Sequence, residues 1–244
     1  MFYCAEINGK KVIKSDIIKA EHFFTTREFC IKSKEPDMQE VVAQNKQELC
    51  DYLNITYDNL ISPSQTHTSN IDIVSSNKKE YPETDGLILD NCERGIFLNF
   101  ADCTPIIIYD EVLNIGAVIH AGWRGTAKNI ASKAVNKLIK EYSSDVNNIS
   151  AAIGPAIGFC CYKVRQDVYE SLSATVKDFS GLSEIRSGDI YVDLKSINAR
   201  QLKECGVMKI DISPYCTCCN NDLFFSYRRE NGTTNRHSAV LKLS

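Results

Sequence analysis

The order of apolar and polar residues along the chain predicts a layered mixture of strands and helices. Short apolar runs, often β-branched, read as buried strands at Leu87–Leu89, Ile106–Tyr109, Ile115–His120, Ile149–Ile153, Val207–Ile212 and Ala239–Leu243. One helix pattern stands out after Gly125. Ala127, Ile130, Ala131, Ala134, Val135, Leu138, Ile139 and Tyr142 recur at helical spacing and share a face, while Lys128, Lys133, Asn136, Lys137 and Lys140 fall mostly on the other. Thr126 is the expected N-cap. Met38–Leu53, Gln166–Val176 and Ser196–Cys205 carry weaker helical patterns. The polar stretches Asn77–Tyr81 and Ser143–Asn148 are short enough for surface loops, and no repeat or linker divides the chain. The expectation is one compact α+β domain over residues 1–244, with layers built on a sheet core. Strands and helices do not alternate regularly enough for a doubly wound parallel fold.

Composition narrows the function classes. Of 244 residues, 43% are hydrophobic and 24% charged, which is a globular balance. The net charge is −3 with no basic block, so nucleic acid is not an expected partner. The longest apolar run, around Ile115–Ile119, is too short to cross a bilayer, and the N-terminal MFYCAEINGKKVIK lacks the apolar segment of a signal peptide. Eleven cysteines, an odd number without a secretion signal, argue for reduced thiols in the cytoplasm. Only four histidines are present, so one chain cannot build a site that needs many imidazoles.

Three segments carry the candidate chemistry: Ser64–His67, Asn99–Pro105 and His120–Gly125. His120 ends an expected strand and is followed by Gly122, Gly125 and a helix. Glycines let a ligand approach the backbone, a helix N-terminus suits an anion, and Arg124 offers a guanidinium fork to a phosphate or carboxylate. Cys103 lies between Asp102 and Thr104-Pro105 just before a strand, a place where a free cysteine is most often packing. His67 sits in a polar stretch with little apolar cover. Together, two imidazoles and a thiol can form a three-ligand metal site with an open fourth position. The same set can serve as a nucleophile pair, Cys103 activated by His120. Ligands from distant segments leave no local signature, and spacing leaves both readings open.

The remaining motifs say less. Cys216-Thr217-Cys218-Cys219 has no second half at knuckle spacing, because Cys160 and Cys161 are adjacent, so a structural zinc is not expected there. Ile153–Gly158 is glycine-rich without the lysine of a phosphate loop, and reads as a tight turn beside the site. Arg27 in Phe24–Arg27 and Arg228 in Phe224–Arg229 stand beside hydroxyls and aromatics, a setting for an anionic or planar substrate or for ordinary salt bridges.

Taken together the motifs resemble one family closely, the YfiH-like laccase-domain family, also called the multicopper polyphenol oxidase or purine nucleoside phosphorylase family. The matching stretches are FTTR (Phe24–Arg27), QTH (Gln65–His67), TDGLIL (Thr84–Leu89), ADCTPI (Ala101–Ile106), HAGWRG (His120–Gly125), IGPAIGFCCYKV (Ile153–Val164) and FFSYRR (Phe224–Arg229), spread over about residues 22 to 240. The resemblance implies a layered α/β sandwich with mixed sheets between helices, similar to certain bacterial deamidase toxins. It implies a zinc site of His67, Cys103 and His120, with copper as the alternative metal. It implies phosphorolysis of adenosine, inosine and methylthioadenosine together with adenosine deamination. The expected partners are a nucleoside and phosphate, bound by a monomer or weak homodimer. Gln65, Arg27, Arg124 and Arg228 are the candidates for substrate and phosphate. Asp85 and Asp102 are candidates for proton transfer or for orienting a ligand histidine. The chain departs from the family where Phe23 and Glu28-Phe29-Cys30 replace glycines around FTTR, and where Asn235 replaces the glycine before Arg236. Copper-dependent phenol oxidation, a cysteine hydrolase using Cys103 and His120, and a non-catalytic scaffold are the competing readings.

Overall fold

A computed structural model describes residues 1–244. The first half of the chain supplies β1 (Phe2–Ile7), β2 (Lys10–Ser15), β3 (Glu21–Thr25), α1 (Gln39–Leu53), β4 (Leu60–Ile61), β5 (Ile71–Ile73), β6 (Gly86–Leu89), β7 (Gly95–Phe100), β8 (Thr104–Asp110) and β9 (Ile115–Ala121). The second half supplies α2 (Trp123–Ala127), α3 (Ile130–Tyr142), β10 (Ile149–Ile153), β11 (Lys163–Val164), α4 (Gln166–Ser173), β12 (Ser183–Arg186), β13 (Asp189–Val192), α5 (Leu194–Glu204), β14 (Lys209–Ile212) and β15 (His237–Lys242). One six-stranded sheet runs β1-β2-β3-β15-β7-β4, a second runs β14-β10-β8-β9-β6-β5, and a small one runs β11-β13-β12. Both large sheets are mixed: β4 joins β7 in parallel, as β5 joins β6 and β14 joins β10, and the other pairings are antiparallel.

The two large sheets face each other. Ile13, Phe24, Leu98 and Leu241 of the first meet Leu87, Ile107, Val118 and Ala152 of the second in the main core. α1 covers the outer face of the first sheet with Leu49 and Leu53 against Phe23, Phe97 and Val240. α3 and α5 cover the outer face of the second. Along β8, Ile106 and Ile108 turn to the helices while Ile107 and Tyr109 turn to the opposing sheet. Period-two alternation with both faces buried makes such a strand read as an unbroken apolar run. The expected α+β class, with mixed sheets between helices, is what the chain adopts. No helix is long and apolar enough to cross a membrane.

Two expectations need correction. The helix pattern after Gly125 is not one helix capped by Thr126. α2 starts at Gly122 as its N-cap, and Thr126 lies buried inside it, bonded to Asn198. Asn129 then takes a left-handed conformation (φ 57°) that ends one helix and starts the next. The break lets Trp123 and Ala127 pack with Val168, Leu172 and Val192, while α3 lies on the sheet. The helix expected to start after His120 is also shorter than its pattern implied, since α2 has only 5 residues and a dipole of little more than one turn.

Candidate metal centre and active site

The chain crosses between the two large sheets at β4–β5, β6–β7, β7–β8 and β14–β15. Gln65 and His67 lie on the first of these connections, Asp102 and Cys103 on β7–β8, Arg228 on β14–β15, and His120 near the end of β9. His67 lies on the first crossing in a left-handed conformation (φ 61°). Cys103 closes the β7–β8 connection, directly after Asp102, whose φ of 88° is costly for a residue with a side chain. His120 is buried on β9, opposite Pro105. The donor atoms of His67, Cys103 and His120 all lie within 4.8 Å of one another, with Cys103 Sγ 3.9 Å from His67 Nε2. Gly122 makes the convergence fit. A Cβ there would stand 2.9 Å from Cys103 Sγ and 3.2 Å from His67 Cδ2.

Asp85 organises this group. Fully buried, its carboxylate accepts the backbone N–H groups of Thr66, His67 and Thr68, the Thr68 hydroxyl (2.7 Å) and His120 Nδ1 (2.7 Å). It thus clamps the His67 turn and orients the His120 ring so that Nε2 is left to a ligand. Burial alone would push the Asp85 carboxyl up, but the bond to protonated His120 and those from Thr68 outweigh it and hold it at about 2. Burial opposes charge on the other two as well. The neighbouring imidazoles nevertheless bring Cys103 down to about 6, and the Cys103 thiolate and Asp85 carry His120 up to about 9. Each shift favours the charged form, a Cys103 thiolate beside a His120 imidazolium with the Asp85 carboxylate behind it.

Asp102, the other carboxylate, touches neither histidine. It accepts from the Thr217 hydroxyl and the Arg228 N–H, both at 2.7 Å, and so ties the β7–β8 connection to two points of the β14–β15 connection. Of the candidate arginines, Arg124 and Arg228 line a cavity of about 590 Å³ that opens on His67 and Cys103. Arg27 lines neither this cavity nor the next. Its guanidinium is held by the Phe224 carbonyl and Glu230 and stacks on Phe225, which fixes the loop that carries Arg228. Gln65 reaches a second cavity but its amide is paired with the Asn99 backbone at 2.8 and 2.9 Å.

Several cavity residues escaped sequence reasoning. The first cavity has an aromatic wall of Trp123, Tyr162 and Tyr227 and a cationic rim that adds Lys163, Arg165 and Arg236. The second, also about 590 Å³, meets His67 and His120 from the other side and carries Lys32, Lys34, Lys46 and Arg236. Arg236 borders both. Its place next to the departed glycine at Asn235 was the one available signal. The other two histidines take no part: His22 bonds to the Ser15 N–H, and His237 is sealed against Phe100 and Phe224.

The model of the family described as multi-copper polyphenol oxidoreductase laccase matches residues 22–244. The chain belongs to this family. Among its relatives, the Geobacillus stearothermophilus protein named purine nucleoside phosphorylase YlmD is 35% identical over 82% of this chain and 78% of its own. A protein of an unknown prokaryotic organism named adenosine deaminase RL5 is 31% identical over 72% of each. The solved structure of the Bacillus licheniformis protein YfiH superposes with a TM-score of 0.89 over 98% of both chains at 28% identity. Relatives in the family thus carry nucleoside-processing names, and in this chain His67, His120 and Cys103 bring together one set of two imidazoles and a thiol.

Proposed function

We propose that this chain is a metal-dependent purine nucleoside phosphorylase that also deaminates adenosine. The observation that supports it most is the meeting of two imidazoles and a thiol with two cavities, one aromatic and cationic, one lysine-rich. The donor chemistry suits zinc: two imidazoles, a depressed thiol and a carboxylate behind one imidazole leave a fourth position open. His67, Cys103 and His120 would hold the ion. When bound, it supplies a Lewis acid to a phosphate oxygen or to water.

The rest is the work of the chain. Trp123, Tyr162 and Tyr227 present flat apolar surface to a purine. Arg124, Arg228 and Arg236 draw in the phosphate and carry its charge as the bond from ribose C1′ to the base breaks. The phosphate oxygen forms a new bond to C1′, and the base leaves with the electron pair and takes up a proton. Asp85 and Asp102 act as positioning residues, the first on both histidines and the second on Cys103 and Arg228. Lys32, Lys34 and Lys46 raise the local concentration of anions on the other side.

Two other readings have an observation behind them. Two histidines and a cysteine also suit copper, and with it oxidation of phenols. The Asp85–His120–Cys103 series also has the order of a cysteine nucleophile with its base and orienting carboxylate. Protein stripped of metal and reloaded with zinc or copper separates them. Phosphate-dependent release of adenine from adenosine, lost on stripping and restored by zinc, is the expected result. Phenol turnover alone, or an acyl adduct on Cys103 in metal-free protein that retains activity, would overturn it.

A further inference from the structure

A second cluster of metal-type donors lies where sequence spacing argued against one. The turn Phe159–Cys161 follows β10, and the turn Thr217–Cys219 follows β14. β10 and β14 run in parallel with Ile153 beside Ile212, and an isolated parallel bridge between Ala156 and Cys216 extends that alignment. Two distant turns therefore emerge side by side. The sulfurs of Cys160, Cys161, Cys216 and Cys219 all lie within 4.8 Å of one another, and Cys219 Sγ is 3.5 Å from both Cys160 Sγ and Cys161 Sγ. All four are free thiols.

The spacing discriminates between uses. A disulfide needs sulfurs at about 2.05 Å. Four thiolates arranged tetrahedrally at about 2.3 Å around a zinc ion stand roughly 3.8 Å apart. Apolar packing explains Cys216, which is buried, but not the exposed Cys160 and Cys219. The backbone is also shaped to the sulfurs. The Gly158 N–H donates to Cys216 Sγ at 3.1 Å, and a Cβ on Gly158 would lie 3.2 Å from both Cys160 Sγ and Cys216 Sγ.

The surroundings supply positive charge. Lys195 is buried, and its ammonium is bonded to the Ser213 and Tyr215 carbonyls with no carboxylate partner, on the segment that leads into Cys216. Arg186, which also pairs with Glu184, donates to the Phe159 and Cys160 carbonyls. Arg228 donates to the carbonyl of Cys161. Four thiolates around a divalent ion carry excess negative charge, and these three cations border them.

We propose that Cys160, Cys161, Cys216 and Cys219 form a second metal centre, a four-thiolate structural zinc site. It has no open position for substrate. It clasps the two turns that hold Tyr162 and Lys163 in the cavity wall and Thr217 against Asp102. The proposal does not depend on the reaction the chain catalyses.

Metal analysis and cobalt substitution of the full chain, purified under reducing conditions, test it. Cys219→Ser loses about one equivalent of zinc per chain, and His67→Ala separately loses another. Cobalt-loaded protein shows the strong sulfur-to-cobalt absorption of a multi-thiolate site, kept in His67→Ala and absent in Cys219→Ser. The cobalt spectrum of the unmutated chain provides the same reading if Cys219→Ser does not fold. Unchanged metal content in both Cys219→Ser and Cys160→Ser overturns the proposal. So does a cobalt spectrum without multi-thiolate absorption, or peptide mapping that finds Cys219 in a disulfide with Cys160 or Cys161.

Discussion

The two sulfur-bearing clusters of this molecule are built on opposite plans. His67, Cys103 and His120 converge beside two cavities, with a carboxylate behind one imidazole and a vacant direction toward solvent. Cys160, Cys161, Cys216 and Cys219 converge between two turns, with backbone N–H groups and cations around them and no carboxylate bonded to the sulfurs. Mixed donors with a vacancy suit chemistry, and four thiolates without one suit stability. The difference teaches that the number of cysteines near one another says less than what stands behind them and what they open onto.

The largest expected effect comes from removing a donor of the first cluster. Cys103→Ser should lower nucleoside turnover by about 10³-fold, since several kcal/mol of charge stabilisation are at stake. Turnover within tenfold of the unmutated enzyme in steady-state assays would remove the distinction between the clusters. The same variant isolates the thiolate in stripped protein: the ultraviolet difference between unmutated and Cys103→Ser protein should rise with a midpoint at about pH 6.

Asp85→Asn should come next, with about 10- to 100-fold weaker metal affinity at the first cluster and an unchanged second one. It also has a pH signature. The Asp85 carboxyl sits at about 2 in the folded chain against an ordinary 3.8, so its contribution is complete above pH 4 and is lost as pH falls through 2. That contribution is about 2 kcal/mol. Acid titration of stripped protein should therefore show the unmutated chain losing its advantage over Asp85→Asn between pH 4 and 2.

A pair of glycine changes sharpens the comparison. Gly122→Ala presses on Cys103 and His67, and Gly158→Ala presses on Cys216 and Cys160. Each should cost about 1–3 kcal/mol of strain, borne by metal affinity at its own cluster. Thermal melts with and without chelator distinguish the two. Arg124→Ala is the mildest, with an expected rise of roughly tenfold in KM for phosphate and little change in melting temperature. An unchanged KM would assign Arg124 to the Trp123 stack alone.

The apolar runs determined much of the fold. Strands β6, β8, β9, β10 and β15 were visible because each buries one or both faces. β14 was visible only through its apolar residues and the buried Val207 before it, and α1, α4 and α5 fall within a few residues of their patterns. β1 to β5, β7 and the small sheet escaped notice. Several are two to four residues long or carry charges at exposed positions, and the rest gain their order from neighbours. The break at Asn129 was hidden because Ala127 and Ile130 keep the same apparent periodicity while packing on different layers.

By itself the sequence determined the family, the apolar strands and three residues of suitable chemistry, because motifs and periodicity are written locally. Only the tertiary structure decided that Asp85 holds both histidines and Asp102 holds neither, and that Arg27 is turned away from the cavities. It alone brought Cys160 and Cys161 to Cys216 and Cys219. Each of these depends on which strands pair and where loops cross between sheets, and donors separated along the chain meet only through that pairing.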